Sequence, residues 1–310
     1  MLKVAFLFPG QGSQRPNFLN DLPKCDAVND VIETASEILN ESVYNLHSET
    51  ALVSTKAVQL CLLVSGVAVS RAFATEGVIP DFVAGHSVGA FSAAVAAGVI
   101  DFKDALNIVS LRGELMEKTH PDGYGMGVVL GMDVRQLRAI VHDEYNEKFP
   151  VYIANQNAPD QITISGSIPG IKKVLEEASK KGIRCARMLN VRTPSHCQLL
   201  TPVSKALLQA LKEIPFYPPK IPYAGNRRAR LLYDPNDIRQ DLAESVSSPV
   251  QWHDAATVLY EKGTNLFIEM PPGNVLSQLA IKAFPDARVL SIEKNGFDDC
   301  QYVALREQMK

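Results

Sequence analysis

The stretch Asp81-Phe82-Val83-Ala84-Gly85-His86-Ser87-Val88-Gly89-Ala90-Phe91-Ser92-Ala93-Ala94-Val95-Ala96-Ala97-Gly98 decides how this chain is read. A short apolar run, Asp81 to Ala84, leads into Gly85-His86-Ser87-Val88-Gly89, and an alanine-rich helix follows and stops at Gly98. Strand, tight turn and helix in that order expose a serine oxygen above a sheet, which turns a weak Gly-x-Ser-x-Gly string into a useful one. Small residues at 85 and 89 relieve crowding at the turn. The helix start aims its free amides and positive dipole end at the place where an oxyanion would form. Ser87 is therefore the candidate nucleophile, and the fold class is α/β.

Upstream, Lys3 to Phe8 is a β-branched and aromatic run that ends at Pro9-Gly10, a buried strand feeding a loop. Loops after such strands are where an α/β protein keeps its chemistry. Downstream, Asp101 is placed to cap a helix running to about Lys118. On that helix Arg112 shares a face with Ala105, Ile108, Val109, Leu115 and Met116 by spacing. A guanidinium where leucine is expected needs an anion, and its planar fork matches a carboxylate at two points. Periodicity alone leaves open whether that anion is a substrate carboxylate or a buried Asp or Glu.

From residue 125 the pattern becomes strand (Gly125–Gly131), helix (Val134–Tyr145), strand (Val151–Asn155), strand (Gln161–Ser165), helix (Ile168–Lys181), strand (Arg184–Met188). This βαββαβ order is the ferredoxin-like unit, able to bury a small core of its own. We expect an α/β-hydrolase-like body with a parallel sheet, formed by residues 1–123 and 190–310, and an inserted ferredoxin-like subdomain at 124–189. Helices near Pro202–Leu211, Pro235–Val246 and Trp252–Lys262, with strands near Leu266–Glu269 and Arg288–Leu290, return the chain to the body.

The 310 residues are 46% hydrophobic and 21% charged, with a net charge of −3, a globular composition that gives no footprint of a nucleic-acid or membrane-surface binder. The start, MLKVAFLFPGQGSQ, lacks the apolar stretch and cleavage site of a secretory signal, so a cytoplasmic location is expected. Five scattered cysteines (Cys25, Cys61, Cys185, Cys197, Cys300) without CxxC spacing indicate neither a disulfide framework nor a metal site. The longest helical pattern, about Thr55 to Thr75, carries Lys56, Gln59, Ser65, Gly66 and Arg71 and reads as a core helix too polar for a membrane span.

Pro9-Gly10-Gln11-Gly12-Ser13-Gln14, Gly85-His86-Ser87-Val88-Gly89, Arg112, Pro194-Ser195-His196-Cys197 and Pro249-Val250-Gln251-Trp252 resemble, in order and position, the malonyl-CoA:acyl-carrier-protein transacylase family. The resemblance covers nearly the whole chain. It implies that Ser87 forms an acyl-enzyme, with His196 as its base and the Gln11 and Val88 main-chain amides as the oxyanion hole. It further implies that the Gln251 carbonyl orients the histidine, that Arg112 clamps the malonyl carboxylate, and that Gln59, Asn155 and Asn157 stand around the acyl pocket. No permanent cofactor is implied. Malonyl-CoA is the donor, and a carrier-borne thiol arm is the acceptor. His86 reads as structural and Cys197 as a packing thiol.

Ala90 stands where the fatty-acid-synthesis enzymes commonly have Glu, and the loop after Gln14 lacks the usual Gly-Met. Gly85 to Phe91, Tyr223 to Arg230 and Leu266 to Gly273 look like the epsilon subunit of malonate decarboxylase, whose carrier bears a phosphoribosyl-dephospho-CoA arm in place of phosphopantetheine. On that resemblance the chain serves malonate decarboxylase, and Arg227, Arg228 and Arg230 are candidates to read the carrier. The alternatives are the fatty-acid-synthesis transacylase and, from another class, an α/β-hydrolase-type esterase or thioesterase. The last would need an acidic triad member, and no convincing candidate is visible.

Overall fold

The structure, a computed structural model, describes residues 2–120 and 122–309. The first part of the chain runs β1 (Lys3–Phe8), α1 (Asp26–Leu39), α2 (Thr55–Thr75), β2 (Phe82–Gly85), α3 (Gly89–Ala96) and α4 (Phe102–Thr119). A second run follows: β3 (Tyr124–Leu130), α5 (Val134–Glu144), β4 (Val151–Ala158), β5 (Gln161–Ser167), α6 (Ile168–Ser179) and β6 (Cys185–Met188). The chain closes with α7 (Thr201–Lys212), β7 (Tyr223–Ala224), β8 (Leu231–Leu232), α8 (Pro235–Glu244), α9 (Trp252–Glu261), β9 (Thr264–Glu269), α10 (Val275–Ala283), β10 (Arg288–Ser291), α11 (Ile292–Asn295) and α12 (Phe297–Gln308).

Two sheets result. One has the order β10-β9-β1-β2-β7-β8 and is parallel except for the short β7–β8 pair at its edge. Its central strands are buried along their length, as the continuous apolar runs demand when helices cover both faces. The other sheet, β4-β5-β3-β6, is antiparallel throughout and carries α5 and α6 over its own apolar cluster of Val129, Leu137, Ile162, Ile164 and Val174. The predicted order of six elements is thus observed, with ends shifted by up to three residues.

Helix α2 is the hub of the main core. Its length and apolar content would suffice to cross a membrane, so the interruptions by Lys56, Gln59 and Arg71 do not by themselves exclude a span. Packing identifies its role: 83% of the apolar window is buried inside the protein.

Register sets the site. Phe8 pairs with Gly85 and Leu7 with Glu269, so the loops after β1, β2 and β9 leave the sheet together at the carboxyl ends of its central strands. The antiparallel sheet reaches the same edge. Gln156 donates its amide to the Val250 carbonyl (2.8 Å), and Val250 donates to Ala154 (2.9 Å). Ser195 donates its amide to Ser165 Oγ (2.8 Å).

Candidate active site

Ser87 sits at the turn between β2 and α3 with φ +56°, the left-handed region that a non-glycine residue enters only under constraint. The two glycines are obligatory for steric reasons. A Cβ at Gly85 would lie 2.1 Å from the Gly89 carbonyl carbon, and one at Gly89 would lie 2.2 Å from the Phe8 carbonyl oxygen. The turn therefore packs backbone on backbone and lifts Ser87 toward the cleft.

His196 faces it. Its Nε2 is 2.8 Å from Ser87 Oγ, and its Nδ1 is 2.6 Å from the Ser245 carbonyl oxygen. A carbonyl only accepts, so Nδ1 carries the proton and Nε2 presents its lone pair to the serine hydroxyl. The histidine is itself at φ +59° and donates its main-chain amide to Val246 (2.8 Å). Burial pushes the imidazole down to about 3, with the Arg112 charge a further cause, so the ring is neutral at physiological pH.

The orienting carbonyl is a correction to the sequence reading, which assigned it to Gln251. The Gln251 oxygen instead accepts from Ala255 (3.0 Å) in the first turn of α9. Ser245 opens the short 3-10 turn that ends α8, where carbonyls are released from the helical ladder and one can point at the imidazole. A sequence gives no sign of which main-chain oxygen will face a distant imidazole.

Arg112 is 1% exposed, on the buried face of α4 with Ala105, Ile108, Val109 and Met116. It donates from Nη1 to Gln59 Oε1 (2.6 Å) and from Nη2 to Ser87 Oγ (3.2 Å). Among the described residues no carboxylate pairs with it, and its Nε has no partner. Desolvation lowers its pKa to about 10, which leaves it charged at physiological pH. Of the two anions the sequence left open, the internal one is absent from the described residues. A buried cation with no counter-charge is costly, and an anionic ligand beside the serine hydroxyl would offset that cost.

The remaining candidates divide. Asn155 lines the cleft, and its buried Oδ1 has no partner. Gln59 does not line the cleft; it stands behind Arg112 and passes its amide hydrogen to Met116 Sδ (3.4 Å). Asn157 also lies off the cleft, with Oδ1 3.0 Å from Nε2 of His86, which lines the cleft and rests edge-on against Trp252. Gln11 and Val88 both line the cleft, and neither main-chain amide donates to another group among the described residues. Cys197 is buried, and desolvation pushes its thiol up to about 11, which keeps it protonated at physiological pH. The cleft encloses about 400 Å³, open solvent at its mouth included. Asp101 occupies the cap position of α4 as expected, although its side chain makes no capping bond.

The three arginines line one small surface pocket with Asp237 and Asp241. Arg227 pairs with Glu244 (2.5 Å) and Arg230 with Asp237 (3.4 Å), while Arg228 is exposed. One residue the sequence did not single out matters more: Asn226, 3% exposed, accepts the Ser87 amide on Oδ1 (3.0 Å) and donates from Nδ2 to the Gly85 carbonyl (2.8 Å).

A family profile described as the acyl transferase domain matches residues 5–307. A malonyl CoA-acyl carrier protein transacylase of Bacillus subtilis (strain 168) is 37% identical over 313 aligned residues, 99% of each chain. The chain belongs to the malonyl-CoA:acyl-carrier-protein transacylase family. Solved structures agree with this acyltransferase membership. The acyl-carrier-protein S-malonyltransferase of Burkholderia pseudomallei 1710b superposes with a TM-score of 0.92 at 33% identity, covering 97% of this chain and 100% of the other. A malonyl-transacylase solved in complex with a type II PKS acyl-carrier protein superposes at 0.91 with 31% identity, covering 98% and 99%.

Proposed function

We propose that this acyltransferase moves a malonyl group from malonyl-CoA to the thiol of an acyl carrier protein through an ester on Ser87. Arg112 carries the reading: a buried guanidinium 3.2 Å from the serine hydroxyl, with no carboxylate of the described chain on it, suits an acyl group that brings its own carboxylate.

The steps follow from the geometry. Ser87 Oγ attacks the thioester carbonyl while its proton passes to His196 Nε2. The carbonyl oxygen becomes an oxyanion and is met by the main-chain amides of Gln11 and Val88, which line the cleft and donate to no other group among the described residues. Collapse of the intermediate breaks the C–S bond, and the coenzyme A sulfur leaves with the proton from His196. The carrier thiol then enters, gives its proton to Nε2 and attacks the ester carbonyl, and Ser87 leaves with that proton. The orienter of His196 is a neutral carbonyl, and Arg112 disfavours the imidazolium, so this is a serine–histidine pair that works from the neutral ring. The missing acidic partner counts against an α/β-hydrolase-type esterase.

In this reading residues 1–123 and 190–310 form a hydrolase-like catalytic body, and 124–189 a ferredoxin-like subdomain that roofs the cleft with Asn155. Free cysteines and a coenzyme A substrate fit a cytoplasmic enzyme. Between carriers, the relatives favour an acyl carrier protein of the kind used in fatty-acid synthesis over the malonate decarboxylase subunit. Of the arginines expected to read the decarboxylase carrier, only Arg227 is held in a part-buried pair, while Arg228 and Arg230 are exposed and decide nothing between carriers. Competition between a phosphopantetheine carrier and one bearing the phosphoribosyl-dephospho-CoA arm tests this, read as mass gained by each carrier. Preference for the phosphopantetheine carrier is expected; the opposite preference returns the assignment to the decarboxylase.

A further inference from the structure

Ser87 holds a strained backbone angle in a turn whose other contacts are made largely by main chain. What fixes it from the side is one amide. Asn226 Oδ1 takes the Ser87 N–H and Asn226 Nδ2 gives a hydrogen to the Gly85 carbonyl, so a single side chain bridges both sides of His86. The Asn226 main chain is pinned in turn. Its N–H donates to Asp241 Oδ2 (3.0 Å), and its carbonyl accepts the Gln251 amide (2.8 Å). Asp241 belongs to α8, whose end supplies the Ser245 and Val246 carbonyls that hold His196. Both members of the catalytic pair are thus referred to one segment.

We infer that Asn226 is a positioning residue for the nucleophile, a two-point amide clamp on the Ser87 elbow that is itself anchored by Asp241. The inference rests on Ser87 being the nucleophile. By taking the Ser87 N–H, the clamp also keeps that donor out of the oxyanion site and leaves the work to Gln11 and Val88. A displacement of about 1 Å at a reacting group costs on the order of 10²-fold in rate. Losing the clamp should therefore slow acylation without weakening malonyl-CoA binding, because Arg112 stands on a different element.

The test is single-turnover acylation by malonyl-CoA together with its dissociation constant. Asn226→Ala should lower the acylation rate by roughly 10²-fold and leave the dissociation constant within about threefold. Asn226→Asp separates a clamp from mere packing. An ionised carboxylate can accept from Ser87 but meets the Gly85 carbonyl with a second acceptor, whereas the protonated acid has one donor and one acceptor, like the native amide. The rate of Asn226→Asp relative to wild type should therefore rise at least about tenfold between about pH 8 and about pH 5 as the buried carboxyl takes up its proton. The titratable and charged neighbours Asp241, Tyr223, Arg227 with Glu244, His86 and His196 are common to both proteins; the wild-type profile reports their own contribution, and Asp241, which holds the Asn226 main-chain amide, titrates jointly with the new carboxyl in the variant. A ratio flat in pH, or an Asn226→Ala enzyme acylated at the wild-type rate, overturns the inference. Should Asn226→Ala fail to fold, the pH ratio decides alone. Ser87→Ala is run beside them: if it still takes up malonyl, the nucleophile assignment has failed rather than the clamp.

Discussion

Replacing Arg112 with alanine separates a malonyl-specific site from a general acyl site. The side chain is 1% exposed, and its charge has only Gln59 and Ser87 as partners. With malonyl bound, the variant would leave a carboxylate buried without its counter-charge. Breaking a buried pair in this way costs about 3–5 kcal/mol, much of it the desolvation of the charge left behind. At about 1.4 kcal/mol per tenfold, that is roughly 10²–10⁴ in kcat/KM for malonyl-CoA. Acetyl-CoA brings no carboxylate, so it loses only the charge-assisted contact between Arg112 and Ser87 Oγ, about 1.5–3 kcal/mol or roughly 10–10²-fold, a loss that malonyl-CoA shares before the cost of its stranded carboxylate is added. The same change removes a positive charge that helps depress His196, which raises the basicity of the imidazole and acts alike on both substrates. Rapid-quench acylation with each thioester measures the two losses. Equal losses would mean that Arg112 serves the fold and the carboxylate argument is wrong.

Two other outcomes follow from the site. Because His196 is held down to about 3 in the folded protein, against 6.5 unperturbed, the acylation rate should stay flat from about pH 8 to about pH 5, and a midpoint near 6.5 would contradict a buried neutral ring. The linked stability has the matching sign: it is fully present above about 6.5 and is lost as pH falls toward 3, since the unfolded chain binds that proton first, which an acid-side thermal melt compared with His196→Gln can read. Gly89→Ala would drive a Cβ to 2.2 Å from the Phe8 oxygen, so we expect a loss of about 1–3 kcal/mol or more in denaturant unfolding together with loss of acylation; a variant of wild-type stability would show that the elbow is looser than described.

What the sequence made legible was whatever repeats locally. The helix Thr55–Thr75, the βαββαβ order and the strand–turn–helix around Ser87 are written in apolar periodicity and in the placement of glycine. Arg112 stood out as a charge on an apolar face, and burial without a counter-ion gave it meaning. The features that stayed hidden depend on contacts between residues distant in the chain or on elements too short to show a period. The Ser245 carbonyl on His196 leaves no trace in residue type, and resemblance pointed to Gln251 instead. The two-residue strands Tyr223–Ala224 and Leu231–Leu232 are too short to show alternation. Asn226 carries no sign of its role in the sequence, because an amide between glycine and arginine reads as a turn. Its work appears only when Gly85 and Ser87 arrive beside it.

The central claim is that Ser87 carries the acyl group. Mixing the protein with malonyl-CoA in the absence of a carrier, stopping the reaction in acid and mapping the modified peptide by mass spectrometry tests it most directly. A single malonyl ester on Ser87 is expected, absent in Ser87→Ala and discharged by a carrier thiol. A malonyl group on Cys197, or no covalent adduct while transfer still proceeds, would contradict it.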